Sequence, residues 1–296
     1  MKKLLYTVMA SVLLIACGKP KDPVSQTINS VDSKNIKDLN ISILIDLSDR
    51  IDPQKNANPT MEYFQRDIEY IKAIDKGFLD HIKTKKMIQL NDQMQVFINP
   101  EPSDPKMNEL TKTLKVSFDR NTTKDNIDKV EKTYSSLPSQ IYQSAIQDKK
   151  YIGSDIWEFF KNKVKDYCIK DNHRNILFIF TDGYMYHKDS KFSEGKMTSY
   201  LTPELIKSLK LTASDYKSRI QSEKLGFIKA SDDLDNLEVI VLGINPVKGN
   251  PFEEDVIKEY WENWFKEMKI KNYQIKSADL PSNLEPIILK VISGKS

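Results

Sequence analysis

Cysteine is close to absent: Cys17 and Cys168 are the two in 296 residues. That excludes a disulfide framework, and no cysteine or histidine spacing matches a zinc site. Histidine is nearly as scarce, with His81, His173 and His187 in unrelated settings. A catalytic thiol would need a convergent histidine. Although His173 is close in sequence, Cys168 falls near the end of an expected helix and reads as a small buried thiol. Glycine is limited to 9 residues, none arranged as a phosphate-binding loop or as the elbow around a nucleophilic serine. An excess of one charge is missing as well. The net charge is +3, and two of the 45 basic side chains, Lys2 and Lys3, lie in an N-terminal segment that holds none of the 42 acidic ones. A chain so balanced is not expected to bind nucleic acid, which takes a marked basic face. Internal repeats and low-complexity blocks are also lacking.

What remains, 39% hydrophobic and 29% charged, is the composition of a folded soluble domain. The chain begins with a basic Met1-Lys2-Lys3 followed by an apolar run over 4–15. That run has the length of a secretory signal and is shorter than the roughly 20 residues of a membrane-spanning helix. It ends in Leu14-Ile15-Ala16-Cys17, which resembles the lipobox of bacterial lipoproteins. The resemblance implies a diacylglyceryl group on the Cys17 thiol, cleavage before Cys17 and acylation of the new amino terminus. Several acyl chains together anchor stably where one does not. Gly18 is not a residue that implies retention at the inner membrane, so the expected location is the outer membrane of a Gram-negative envelope. Residues 17–38, polar and proline-containing, read as a tether.

From residue 39 on, strand-like and helix-like patterns alternate. Short apolar, β-branched runs are expected as strands at 41–45, 94–98, 114–118, 175–180, 237–244 and 272–276. A helix is expected over 61–83 with Thr60 as its N-cap, because Phe64, Ile68, Ile71, Ile74 and Phe78 recur at three- and four-residue spacing. Arg66, Asp67, Glu69 and Lys72 are assigned to its solvated face. Thr123 opens a helix to 137 that Pro138-Ser139 breaks before a short continuation over 140–147. Further helices are expected at 155–168, 212–225, 253–268 and 284–292. The stretch 184–236 is longer than a usual crossover. The pattern predicts one domain over 39–296, an α/β doubly wound, mainly parallel sheet with helices on both faces.

Two of the strands end in chemistry. The run 41–45 delivers Asp46 and Ser48 into the following loop, and 175–180 delivers Thr181-Asp182-Gly183. If the strands are neighbours, the carboxylates and hydroxyl converge at the carboxyl edge of the sheet, where ligands of open α/β sheets bind. Such hard oxygen donors suit Mg²⁺ or Ca²⁺.

A strand ending in Asp-x-Ser and a later one ending in Thr-Asp-Gly resemble the metal-ion-dependent adhesion site of von Willebrand factor A domains. The resemblance implies a Rossmann-like fold. It also implies a Mg²⁺ (or Mn²⁺ or Ca²⁺) ion held by Asp46, Ser48 and Asp182, with Ser154 the nearest counterpart of the family's middle threonine. The partner would be a protein that lends a carboxylate to the ion. The sequence departs from the motif at Arg50, which stands where a second serine belongs. At about 6 Å and an effective dielectric of about 20, Arg50 would repel a divalent ion by on the order of 5 kcal/mol. Either Asp46, Asp182 and a swing of Arg50 onto Asp49 offset that repulsion, or Arg50 itself replaces the metal between the carboxylates. Thr181 and Tyr184 complete the candidate binding residues. The stretch 184–236, with Tyr184, Tyr186 and His187 near its start, either joins the binding surface or packs on the side of the domain. An alternative activity is a metal-dependent hydrolase or phosphoesterase on the same fold, although a haloacid-dehalogenase-like pattern wants a second carboxylate where Ser48 stands.

Overall fold

Alternate side chains of a strand point to opposite faces, and here both faces are covered. In the computed structural model, which describes residues 36–151 and 153–294, the elements follow as β1 (Asp38–Ile45), α1 (Tyr63–Lys83), β2 (Gln93–Ile98), α2 (Pro105–Thr113), β3 (Val116–Ser117), α3 (Lys124–Asp148), α4 (Ile156–Asn162), α5 (Val164–Cys168), β4 (His173–Phe180), β5 (Ser193–Glu194), β6 (Met197–Thr198), α6 (Pro203–Ser208), α7 (Tyr216–Glu223), β7 (Gly226–Phe227), β8 (Leu237–Ile244), α8 (Glu253–Glu267), β9 (Asn272–Ser277) and α9 (Pro281–Ser293). The expected signal segment, Cys17 and nearly all of the tether lie outside the described residues.

The central sheet runs β3-β2-β1-β4-β8-β9. Every pair is parallel except β2 with the two-residue edge strand β3. One core joins Ile41, Ile43 and Ile45 of β1 to Ile176, Phe178 and Phe180 of β4 beneath α1, α3 and α9. The other joins Leu177 and Ile179 of β4 to Val239 and Val241 of β8 beneath α4, α5 and α8. This is the doubly wound α/β class expected from the alternation. The chain leaves β1 toward β2 and β3 on one side, then returns to place β4 on the other. The strand order therefore reverses between β1 and β4, at the crevice where such sheets bind ligands.

Several local expectations are corrected. The first long helix starts two residues later than expected, because Glu62 and Gln65, not Thr60, form the reciprocal capping box. Arg66 and Asp67 are buried rather than solvated. Pro138 does not break α3. An interior proline costs about 3 kcal/mol, but Tyr134, Ile141 and Tyr142 on either side are buried in the same core, which offsets that cost. The helix expected over 155–168 is two, separated at Lys163, whose φ of −124° is not helical. Within the long stretch after β4, a small sheet β5-β6-β7 forms and the second helix is the shorter α7. This stretch is tied to α4 and α8, since the Ile228 carbonyl accepts from the indole N–H of Trp157 on α4 at 2.8 Å and of Trp264 on α8 at 3.0 Å.

At the amino-terminal ends of the strands, buried Asp92 accepts from the Leu39 amide at 2.8 Å, His81 at 3.1 Å and Lys85 at 2.6 Å. Burial alone would raise this carboxyl, but the hydrogen bonds from His81, Lys85 and Leu39 outweigh it and hold it at about 2, below its ordinary 3.8. A depressed folded value stabilises above the unfolded one and is lost as pH falls through the folded one. Asp92→Asn should therefore lower stability by roughly 2 kcal/mol at neutral pH. In urea titrations across pH, the gap from wild type should narrow below about pH 4 and close near pH 2. A gap that persists unchanged at the acid end would refute this source of stability.

Candidate functional site

The site is built where pairing between β1, β4 and β8 runs past their last residues. Ile45 stands opposite Phe180 in register, and the Asp46 amide donates to the Phe180 carbonyl at 3.1 Å. The Thr181 amide donates to Leu242 at 3.1 Å, and that of Asn245 to Asp182 at 2.9 Å. These bonds bring the loop residues of three strands to one edge. Gly243, at φ +109°, allows the close approach, for a Cβ there would lie 2.9 Å from the Thr181 carbonyl oxygen. Gly183, at φ +99°, turns the chain after Asp182, where a Cβ would meet Ile257 and Ile244. The turn is pinned from beneath by the Trp261 indole, which donates to the Gly183 carbonyl at 2.8 Å.

Above this edge lies an open cleft of about 1010 Å³. Asp46, Ser48, Ser154 and Asp182, the residues singled out as oxygen donors, all line it, as do Asp49, Arg50 and Tyr184. Asp46 is buried, and both its oxygens are engaged: Oδ1 accepts from the Ser48 amide at 2.8 Å and Oδ2 from the Thr181 hydroxyl at 3.1 Å. Thr181 thus orients Asp46 rather than facing the cleft. Ser154 reaches the site because the 153–154 segment bridges Leu47 on one side and Tyr186 on the other. Its hydroxyl is buried without a hydrogen-bond partner. Asp182 is half-buried and its Oδ1 accepts from the Tyr184 amide at 3.0 Å. Burial and then the neighbouring charge of Asp46 push the Asp182 carboxyl up to about 7, against the pull of Arg50.

Arg50 does not swing onto Asp49, which instead pairs with Lys55 at 3.1 Å on the surface. The guanidinium is buried, with Nη2 2.5 Å from Asp67 and 3.3 Å from the Phe180 carbonyl, and Nε 3.6 Å from Asp46. Burial works against the charged form, but Asp67 and then Asp46 overcome it and raise the arginine further. Burial raises Asp67 against the pull of Arg50. The Tyr142 hydroxyl donates to the same Asp67 oxygen at 2.8 Å. A guanidinium is always charged, so Asp67 is its counter-ion.

Sequence reasoning missed Asp67 as a site residue because it sorted α1 by residue polarity, and Tyr142, on α3, carried no local signal of its partner. For Asp67 the signal was present. Asp67 lies three residues after Phe64 and four before Ile71, on the apolar stripe rather than opposite it. Tyr184 is also less free than expected, since its hydroxyl donates to Glu253 at 2.5 Å and accepts from the Val247 amide at 3.0 Å. Tyr186 remains 48% exposed at the cleft, beside Val247 at 47%. Lys149, Lys150 and Lys248 line the same cleft.

No family model matches the chain, and no curated protein matches it in sequence. Among solved structures, it is similar to an aerotolerance-related membrane protein from Bacteroides fragilis at 13% identity and a TM-score of 0.40, over 86% of this chain and 99% of that one. It is similar to BatB from Bacteroides thetaiotaomicron at 12% identity and a TM-score of 0.39, over 86% and 98%. The pilus adhesin SpaC from Lactobacillus rhamnosus GG is similar at 8% identity and 0.40, over 88% of this chain and 30% of that one. These are likenesses of overall shape, and nothing about activity or partners passes through them to this chain.

Proposed function

We propose that this chain is a lipid-anchored envelope protein whose strand-end cleft binds a protein partner, with a divalent cation at the cleft floor as part of the contact. The observation that supports this best is the composition of the cleft. Asp46 and Asp182 line it and Asp67 is buried beneath it, so three carboxylates surround the single guanidinium of Arg50 and the floor carries surplus negative charge. Two carboxylates in one cleft repel unless a cation lies between them. The obstacle raised by Arg50 is reduced, because Asp67 at 2.5 Å is a counter-ion of its own. Ser154 contributes a buried hydroxyl without a partner, and Ser48 a second neutral oxygen. This donor set suits a hard cation. Asp46, Ser48, Ser154 and Asp182 would hold Mg²⁺, or Mn²⁺ or Ca²⁺, and the ion would offer a Lewis-acid point for a carboxylate of the partner. The exposed Tyr186 and Val247 give the rim apolar contact area, and Lys149, Lys150 and Lys248 favour an acidic partner. The anchor rests on Leu14-Ile15-Ala16-Cys17, and Cys17→Ser should abolish fatty-acid incorporation.

Millimolar Mg²⁺ or Mn²⁺ should raise the melting temperature of the wild type and leave that of Asp182→Asn unchanged. In capture experiments from envelope extracts, chelator should release the partner. A second reading is favoured by Arg50 Nε, 3.6 Å from Asp46 and without a hydrogen-bond partner: Arg50 itself supplies the cation. Under that reading the wild type ignores divalent ions, and capture survives chelation. Calorimetry that detects no Mg²⁺, Mn²⁺ or Ca²⁺ binding would decide for Arg50. Turnover of generic phosphoesters with Mg²⁺ present would replace the binding reading by that of a hydrolase.

A further inference from the structure

Five large apolar side chains are exposed among the described residues, and their placement is uneven. Tyr186 and Val247 stand at the cleft. Ile88, 76% exposed, and Met87, 38% exposed, are adjacent in a short 3-10 turn, Met87–Gln89, at the opposite pole of the sheet. Their position is fixed from both sides by the first residue of β1. Lys85, just before the turn, forms an ion pair with Asp38. Asn91, just after it, donates to the same carboxylate at 3.0 Å. Leu90 behind the turn is buried, so the apolar pair projects from a firm base. Lys86 and Lys37 beside it are exposed and make no ion pair among the described residues, while Lys83 lies 3.6 Å from Asp80.

The chain enters the domain at this pole. Nineteen residue steps separate Cys17 from Ile36, a span of at most about 65 Å fully extended. The pole that carries Ile88 is therefore the pole at which the amino-terminal segment joins the domain. We infer that the Met87–Ile88 turn is a membrane-surface contact, in which the two apolar side chains enter the headgroup region of an anionic phospholipid leaflet and Lys86 and Lys37 meet its phosphates. The inference rests on the lipid anchor proposed above. An apolar tip with basic flanks is the composition of interfacial membrane contacts, and a tether already holding the domain at the surface supplies the effective concentration that so small a contact needs. The consequence for function is orientation. The eight residues of β1 separate the two poles by about 25 Å at a strand's rise, so a domain seated on Ile88 turns its cleft away from the lipid and toward partners.

The test uses the full, lipidated chain carrying Ile88→Cys or, as a reference, Asn56→Cys at the cleft. Each is labelled with an environment-sensitive fluorophore and reconstituted into phosphatidylethanolamine–phosphatidylglycerol vesicles. Labelling is selective, because Cys168 is buried and burial pushes its thiol up to about 12. The label at 88 should be blue-shifted and quenched by nitroxide lipids, and the label at 56 should be neither. Protein that floats with the vesicles while both labels stay water-exposed would overturn the contact and leave the anchor standing. A blue shift at 88 without lipid quenching would assign the patch to a protein, a second copy of this chain included, and overturns it too. Failure to float would sink the anchor and the contact with it.

Discussion

Replacing Asp67 by Asn should cost the fold about 3–5 kcal/mol, the usual result of stripping one partner from a buried ion pair. Arg50 stays charged and buried, with only Asp46 at 3.6 Å and the Phe180 carbonyl at 3.3 Å left to it. The Tyr142 hydroxyl, 2.8 Å from Asp67, loses its anionic acceptor at the same time. Exchanging both members, Arg50→Met with Asp67→Leu, should recover most of the loss, since well-packed apolar replacements of buried pairs are often neutral or better. Urea unfolding of wild type, Arg50→Met, Asp67→Leu and the double variant reads the coupling directly. If the Asp67→Asn protein unfolds at the wild-type urea concentration, Arg50 is held by Asp46 alone and the counter-ion is misassigned. That outcome would also weaken the case for a cation in the cleft, because Arg50 would then occupy Asp46 undivided.

The opposite sign is expected at the next buried carboxylate along α1. Asp75 is buried, and its Oδ1 has no hydrogen-bond partner. Burial, reinforced by Glu131 and opposed by Lys83, pushes its carboxyl from 3.8 up to about 7. Because the folded value lies above the unfolded one, the native state carries no penalty below about pH 4. Stability is then lost as pH rises to about 7 and stays lost above it. A difference of about three pKa units corresponds to roughly 4 kcal/mol. Asp75→Asn keeps the shape and removes the charge, so it should stabilise the protein by a few kcal/mol at pH 8 and by almost nothing at pH 4. The amide is itself buried without a full set of partners, which caps the gain. Thermal or urea unfolding at the two pH values checks this. An Asn variant no more stable than wild type at pH 8 would show that Asp75 ionises at no cost.

Both aspartates show how far the sequence carries. The stripe Phe64, Ile68, Ile71, Ile74 and Phe78 located α1, and four of those five are buried. Assigning charges to the solvated face by residue type then failed at Arg66 and Asp67, because a helix face is set by angle and not by polarity. At Pro138 the local rule failed for a related reason: burial of Tyr134, Ile141 and Tyr142 outweighed one lost backbone bond. The small sheet β5-β6-β7 left no readable trace, since two-residue strands are too short to show a period.

The sequence by itself determined the α/β alternation, the strands that end in Asp46 and in Asp182, and the doubly wound class. Periodicity and burial on both strand faces are properties of short stretches and are legible one stretch at a time. Only the tertiary structure decided the strand order that sets β1 beside β4, and with it the meeting of Asp46, Thr181 and Asp182 at one edge. It alone decided that Ser154, from a third segment, joins the cleft with an unpartnered hydroxyl, and that Arg50 turns inward to Asp67. The reason is physical. Each of these contacts joins residues far apart in sequence, and the energy that selects the partner, an ion pair or hydrogen bond out of water, exists only once packing has removed the water.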